Sequence, residues 1–228
     1  MSIDSFRVAI DDSNILGAAL ALECIDDLNA SYDALGHQTP LAYASSHNIL
    51  TIVELLIQKG VDVHEDDQGG SSPLQISCEE GHVEVVRSLL SAGASRYQKD
   101  CYGRTLLHLA AREAQSHIVH LLTEYGLEVD DRDKNEWTAL HHATNQGCLD
   151  STMKLCSLGA DINALTKEQY TPLHLACYHG DIHIVRFLLE NDVDVSILDD
   201  AGQSALDLSK RYRYPTITSM LERYIINR

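Results

Sequence analysis

The chain has 228 residues, 44% of them hydrophobic, so it is long enough to bury a sizeable core and is not a disordered protein. Lys and Arg number 17 against 34 Asp and Glu, which gives a formal net charge of -17. Such a charge repels phosphate backbones and argues against nucleic acid as the main partner.

The first residues, MSIDSFRVAIDD, are acidic where a secretory signal needs a basic and then an apolar stretch. No later segment approaches the roughly 20 apolar residues of a membrane span. The six cysteines are scattered without a CxxC pair, and we interpret them as reduced thiols. The sequence therefore predicts a soluble protein of the cytoplasm or nucleus that has no membrane partner.

Two short helices are predicted between residues 3 and 27, in SFRVAIDD and NILGAALALECID. The polar stretch DLNASYDALGHQTP follows them. From there on the sequence repeats itself with a period of 33 residues. The period is marked by TPLAYA at Thr39, SPLQIS at Ser72, TLLHLA at Thr105, TALHHA at Thr138, TPLHLA at Thr171 and SALDLS at Ser204.

Each copy begins with Thr or Ser, whose hydroxyl can cap the free amide groups at the start of a helix. Proline follows in three copies, at a position that helices tolerate. A leucine and then a small residue come next, and this order suits a helix packed closely against its neighbours. These copies predict one short helix each.

A second, outer helix is predicted in each copy, from apolar pairs such as Ile52/Val53 followed by a leucine one turn later. Glycine ends it in four copies, where the backbone must usually become left-handed. These glycines are Gly60, Gly93, Gly126 and Gly159. The next copy has Asp192 at this position, which makes a less sharp turn expected there.

The period of 33 with a T-P-L-H-x-A core resembles the ankyrin repeat, from about Leu35 onward. The resemblance implies an all-α solenoid of about seven stacked helix pairs, with β-hairpin-like fingers that line a concave groove with the inner helices. We predict a single domain over residues 1–228. Residues 1–34 form an N-terminal capping repeat with a finger lengthened by about two residues, 35–199 five full repeats and 200–228 a C-terminal capping repeat.

The last repeat departs from the pattern, with Arg213 in place of a mid-repeat glycine and Pro215 at the start of its final helix. Residues 201–228 contain five Lys or Arg and two Asp or Glu, whereas residues 1–200 contain 12 Lys or Arg and 32 Asp or Glu. This polar, basic composition is typical of a closing cap.

Histidines recur at one repeat position, as His108, His141 and His174, where a side chain tied to neighbouring backbone is the simplest interpretation. His142 stands where other copies have leucine, at Leu109, Leu175 and Leu208, so a partly buried histidine is favoured over a pH switch. No cluster has the spacing of a recognised zinc site, and we predict no metal and no cofactor.

The acidic runs Glu65-Asp66-Asp67, Asp130-Asp131 and Asp199-Asp200 fall in the fingers and are interpreted as solvated loop charge. They lack the spacing of calcium loops, and no nucleotide-binding or hydrolase motif is present. We therefore predict that the protein is not an enzyme.

Aromatic and arginine side chains gather where the period predicts solvent: before the capping Thr or Ser, and at the exposed end of the inner helix. Trp, Tyr and Arg are the types most enriched at interface hot spots. With an acidic pair, the predicted partner-binding residues are Glu79, Glu80, Tyr102, Arg104, Arg112, Trp137, Tyr170, Tyr178 and His179. The alternative is that Trp137 and Tyr170 only pack on adjacent fingers and stiffen them.

The resemblance implies a protein-protein interaction module, acting as an adaptor, a regulator or an assembly chaperone. The charge predicts a partner with a basic surface, and the chain alone is expected to be a monomer. A structural subunit of a larger assembly is the alternative function, and an enzyme or metal protein a third. Asn163 resembles the site of the asparaginyl hydroxylase that modifies ankyrin proteins, although an asparagine there can simply tighten the finger turn.

Overall fold

A computed structural model describes residues 3–66 and 70–227, in which 14 α-helices and no sheet are present. The all-α class is confirmed. Asp67, the last residue of the first acidic run, lies outside the described residues. Strand-like pairing within those ranges is limited to two isolated antiparallel bridges, Tyr32 with Gln38 and Leu198 with Ser204.

Within each of two compact units, described below, the helices alternate between an inner and an outer row. The inner helices are α1 (Ile3–Asp11), α3 (Pro40–Ser46), α5 (Pro73–Glu80), α7 (Leu106–Arg112), α9 (Ala139–Asn145), α11 (Pro172–His179) and α13 (Ala205–Arg211). The outer helices are α2 (Ile15–Leu22), α4 (Leu50–Gln58), α6 (Val83–Ser91), α8 (Ser116–Glu124), α10 (Leu149–Ser157), α12 (Ile182–Glu190) and α14 (Pro215–Ile226). Helix α2 ends four residues before the predicted end.

The chain divides into two compact units, Met1–Asp100 and Cys101–Arg228. In the first unit α3 packs on α5, and the outer helices α2, α4 and α6 contact one another in order. In the second unit α7, α9, α11 and α13 form one row and α8, α10, α12 and α14 the other. Each unit is therefore a stack of helix pairs, as a repeating sequence predicts.

The predicted caps begin the six inner helices of the repeats. Thr39 Oγ1 accepts a hydrogen bond from the Ala42 amide at 3.1 Å. The other five copies add a reciprocal bond, in which the third helical residue accepts from the amide of the capping residue. That residue is Gln75, His108, His141, His174 or Asp207. The repeated Thr or Ser therefore fixes where each inner helix begins.

The glycines that follow the outer helices adopt the left-handed backbone that the sequence predicts, as Gly93 does with a φ of 95°. Asp192 keeps this conformation with a φ of 58°, and Arg213 keeps it at the mid-repeat turn with a φ of 61°. The expectation of a less sharp turn at Asp192 was therefore wrong. A side chain is tolerated there at some cost in backbone strain because the flanking helices define the turn.

One outer helix has a polar core position. Ile52, Val85, Ile118, Ile184 and Ile217 occupy equivalent buried positions in the other repeats, and α10 has Ser151 there. The Ser151 side chain is fully buried and its hydroxyl has no hydrogen-bond partner. Its neighbour Thr152 is also fully buried, but Thr152 Oγ1 donates to the Cys148 carbonyl at 2.9 Å. Helix α10 thus carries an uncompensated polar group in its core.

We predict that Ser151→Ala stabilises the protein by about 1 kcal/mol, because it removes an unsatisfied buried hydroxyl and improves helix propensity. Thr152→Ala is the matched control and should destabilise, since its hydroxyl is satisfied and its methyl group packs. Urea denaturation of both variants measures the difference. A Ser151→Ala protein less stable than the parent contradicts the prediction.

The last helix pair, α13 and α14, covers the end of the second unit. Leu208, Ile217 and Leu221 are at most 2% exposed and belong to one apolar cluster with Leu173 and Leu188 of the preceding repeat. Tyr214 lies directly against Gly180, where an added Cβ would come within 2.6 Å of the tyrosine ring. The last two helices are thus packed closely on α11 and α12.

Candidate binding site

Successive fingers of the second unit are hydrogen-bonded tip to tip. The Lys134 amide donates to the Tyr102 carbonyl at 3.0 Å, and the Lys167 amide donates to the Asn135 carbonyl at 3.1 Å. The Asp200 amide donates to the Glu168 carbonyl at 3.2 Å. Each fingertip is therefore held by its neighbour, which fixes the side chains that the tips present.

The repeated histidines tie each inner helix to the next finger. His141 Nδ1 accepts from the Thr138 amide at 3.1 Å, so the neutral ring carries its proton on Nε2. His141 Nε2 then donates to the carbonyls of Ala164 at 3.0 Å and Tyr170 at 3.1 Å. His108 Nε2 bonds to the Trp137 carbonyl in the same way at 2.9 Å. The predicted ties to backbone are present, and they position two candidate aromatic residues.

Asp133, which is only 9% exposed, also holds the finger before Trp137. Asp133 Oδ1 accepts from the amides of Asn135 at 2.8 Å and Trp137 at 3.0 Å. Asp133 Oδ2 accepts from His142 Nε2 at 3.0 Å. The Trp137 ring lies 5.1 Å from the His142 ring between centroids. His142 is partly buried, as the sequence predicts, and it fastens the finger.

Burial is the largest effect on these histidines and opposes the charged form. It lowers the pKa of His141 to about 4, against the favourable bonds to Tyr170 and Ala164. It lowers the pKa of His142 to about 4 as well, although the bond to Asp133 acts in the opposite direction. The pKa of His174 is also lowered by burial. The rings are therefore neutral at physiological pH and keep the bonding pattern described above.

Three of the predicted partner-binding residues line one cavity. Its volume is about 420 Å³, and its aromatic lining is made by Trp137, Tyr170 and Tyr178. Trp137 and Tyr170 are half-buried, whereas Tyr178 is 44% exposed. The remaining lining residues are Asn135, Asn145, Glu168 and Leu175. The cavity lies wholly within the second unit, between the fingers and inner helices of its second and third repeats.

The electrostatic environment of the cavity is negative. Glu168 is exposed at the fingertip that contributes to the lining. The pKa of Tyr170 is raised, chiefly by burial and then by the carboxylates of Asp199 and Asp200. Burial disfavours any charge at this position, whereas the two carboxylates disfavour an anionic phenolate at Tyr170 and favour a cation nearby.

The other predicted residues take separate positions. His179 Nε2 lies 3.0 Å from Asn145 Oδ1 at the edge of the cavity, and its ring meets Tyr178 edge-on. The Arg104 guanidinium lies 4.9 Å from the centre of the exposed Tyr102 ring. Arg112 Nε bonds to Glu113 at 2.7 Å.

Glu79 and Glu80 end α5 and belong to the first unit, whereas the cavity belongs to the second. Sequence reasoning missed Asn135, Glu168 and Leu175 as lining residues. Asn135 and Glu168 occupy equivalent fingertip positions in successive repeats, and this periodicity was the signal that could have identified them.

Asn163 fastens one finger to the next. Its amide donates to Asp161 Oδ1 at 2.9 Å, and its Oδ1 accepts from the Asp194 amide at 2.9 Å. Asp130 accepts from the Asp161 amide in the same manner one repeat earlier. In the first finger Asn29 Oδ1 accepts from the Asp62 amide. These two residues are 33 apart, whereas the two pairs above are each 31 apart, which agrees with a first finger lengthened by two residues.

Within residues 3–66 and 70–227, no group of three or more His, Cys, Asp or Glu side chains could hold a metal ion. No helix in the same ranges is long and apolar enough to cross a membrane.

Helix pairs that repeat every 33 residues, each with a capped inner helix and a finger fastened by its neighbours, define a helical repeat protein. Family models for ankyrin repeats match residues 9–100 and 94–166 (three copies) and residues 155–209 (many copies). The chain belongs to the ankyrin-repeat family, which confirms the resemblance noted in its sequence. A search of curated proteins found no match to the chain. Ankyrin repeats are generally protein-protein interaction modules.

Proposed function

We propose that the protein binds another protein through the cavity formed by Trp137, Tyr170 and Tyr178, as an adaptor, regulator or assembly chaperone. The observation that carries the proposal is the convergence of these three side chains on one concave site. They combine large apolar area with polar groups, as interface hot spots do. The backbone of Trp137 and Tyr170 is held by His108, His141 and Asp133, and Tyr178 lies in helix α11, so little ordering remains to be done on binding.

The partner is proposed to present a basic surface, since the chain has a net charge of -17 and the cavity lining contains Glu168 and no Lys or Arg. Opposite charge speeds encounter and excludes partners of like charge. We further propose that the chain acts as a monomer in the cytoplasm or nucleus. No catalytic role, cofactor, nucleic-acid partner or membrane partner is proposed.

The test is Trp137→Ala, measured by titration against the partner identified by affinity purification and mass spectrometry. We expect a loss of about 2 kcal/mol or more of binding free energy, with little change in stability.

The association rate of the parent protein with the same partner should also fall as salt rises, because salt screens the attraction between opposite charges. The substitution is compared with a second aromatic variant. Tyr97→Ala is the control, because Tyr97 is 65% exposed and lies outside the cavity. A variant that melts several degrees lower and binds normally would place Trp137 in the scaffold instead.

A structural subunit of a larger assembly is the second candidate, because an apolar face is exposed in the first unit. Leu16 is 72% exposed, Leu20 50% and Val8 48%, all on the first two helices. Crosslinking of the native complex distinguishes the two functions. Contacts of this face and of the cavity with two different subunits would favour the structural role.

Asn163 stays a candidate for asparaginyl hydroxylation. Its half-buried side chain is committed to the Asp194 amide, so modification would require the finger to open. Incubation with the hydroxylase, followed by mass spectrometry of the peptide that contains Asn163, is expected to show a gain of one oxygen atom. An unchanged peptide mass would leave Asn163 with its structural role alone.

A further inference from the structure

The lining of the cavity combines aromatic rings with hydrogen-bond acceptors. Trp137, Tyr170 and Tyr178 supply the rings, and Glu168 supplies a carboxylate. Asn135 and Asn145 add amide oxygens, and Asn145 Oδ1 already lies 3.0 Å from His179 Nε2. Leu175, 6% exposed, adds an apolar surface. Ring faces and carboxylates both attract cations, and aliphatic surface suits a methylene chain.

The residues that line the cavity include no Lys or Arg, and two cations from neighbouring positions bond to other groups. Lys134 Nζ donates to the Cys101 carbonyl at 2.7 Å. Arg211 Nη1 donates to Gln203 Oε1 at 3.0 Å, and its guanidinium lies 5.8 Å from the Tyr212 ring. Lys167 is exposed next to Glu168 and is not part of the lining. The negative charge of Glu168, Asp199 and Asp200 thus has no cation of this chain within the cavity lining.

We propose that the cavity receives an arginine side chain of the partner, an inference that rests on the proposed function. A planar guanidinium stacks on aromatic faces and presents several N–H donors in a fixed fork. In the cavity the Glu168 carboxylate and the amide oxygens accept these donors, and the stem of the arginine packs on Leu175. Lysine has a compact, strongly hydrated charge and satisfies this combination less well. The cavity volume of about 420 Å³ is within the range of sites that enclose a group of this size.

Trp137 makes the test specific, because it is the only tryptophan of the chain and lines the cavity. Its fluorescence is followed while the intact protein is titrated with the peptide acetyl-Gly-Arg-Gly-amide. The matched probe replaces arginine by citrulline, which has nearly the same shape and no charge. We expect a saturable change with the arginine peptide and affinity about 10-fold lower for the citrulline peptide, the size of a desolvated cation–π contact.

Glu168→Gln should weaken binding of the arginine peptide about 10-fold, as loss of a charge-assisted hydrogen bond predicts. Glu128→Gln is the matched control, since it removes the same charge from an exposed position outside the cavity and should leave the affinity unchanged. Both variants change exposed carboxylates, and their melting temperatures verify that each is folded.

Equal affinity for arginine and citrulline, an equal effect of the two glutamine variants, or no fluorescence change overturns the inference. Tighter binding of the corresponding lysine or trimethyllysine peptide overturns the assignment to arginine. The proposed function fails separately, in the partner titration of Trp137→Ala. If that variant loses the partner and the arginine peptide does not bind, the cavity binds its partner through another group.

Discussion

Deleting residues 201–228 is expected to convert the protein into an aggregating species. The deletion removes Leu208, Ile217 and Leu221, which are at most 2% exposed, and uncovers Leu173 and Leu188 beneath them. Each such side chain contributes about 1.5–3 kcal/mol when buried. Their joint loss is comparable to the whole stability of an ordinary domain, about 5–15 kcal/mol. Size-exclusion chromatography and thermal unfolding measure the effect.

A point substitution separates loss of the cap from loss of chain length. Leu221→Asp places a charge in the buried cluster and should reproduce the aggregation, whereas Ile226→Asp should not, because Ile226 lies on the same helix and is 80% exposed. A truncated protein that stays monomeric and melts like the parent would show that residues 201–228 are not a cap.

Acidification is expected to destabilise the protein between about pH 6.5 and pH 4. Burial lowers the pKa of His141 and of His142 to about 4, whereas both rings titrate near 6.5 in the unfolded chain. In this window the unfolded state binds more protons, so stability is complete above pH 6.5 and falls as the pH approaches 4. The loss is about 3 kcal/mol for one such ring, and the two losses are not additive because the rings interact.

The measurement is urea denaturation at several pH values across this window, for the parent and for His142→Leu. Leucine occupies the equivalent position in three other repeats, so the substitution is compatible with the fold. It removes one titrating ring, so the free energy of unfolding should depend less steeply on pH. The variant leaves Asp133 Oδ2 without a donor. Asp199 Oδ2 already has none in the repeat that has Leu208 at the position equivalent to His142. Parallel pH profiles for the two proteins would contradict the role of His142.

The local features of the fold could be predicted because each depends on a few neighbouring residues. Thr138 and His141 are three positions apart, and the cap they form needs only that spacing. The left-handed turns were predicted where glycine is present. At Asp192 the residue type predicted a less sharp turn and was misleading, because the left-handed conformation there and at Arg213 is imposed by the packing of the flanking helices.

The cavity could be predicted only in part. The sequence identified Trp137, Tyr170 and Tyr178 because the period shows which positions of each repeat face solvent. The periodicity shows that Asn135 and Glu168 share one repeat position, but their place in the lining depends also on the bonds between fingertips, so both were missed. The bond from His142 to Asp133 likewise requires the finger to fold back over its own helix. Ser151 departs from the apolar pattern of its repeat position, so the period predicts that this side chain is buried but not that it is polar.

The histidine ties set a rule for recombining these repeats. The Trp137 carbonyl is held by His108 and the Tyr170 carbonyl by His141, so each finger is fastened by the repeat that precedes it. A graft that begins at Gly126 would carry Trp137 without His108 and leave its carbonyl without that donor. A chimaera that transfers the cavity intact must begin no later than Thr105 and extend past Tyr178. The smallest transplantable piece is therefore longer than the two repeats whose side chains form the lining.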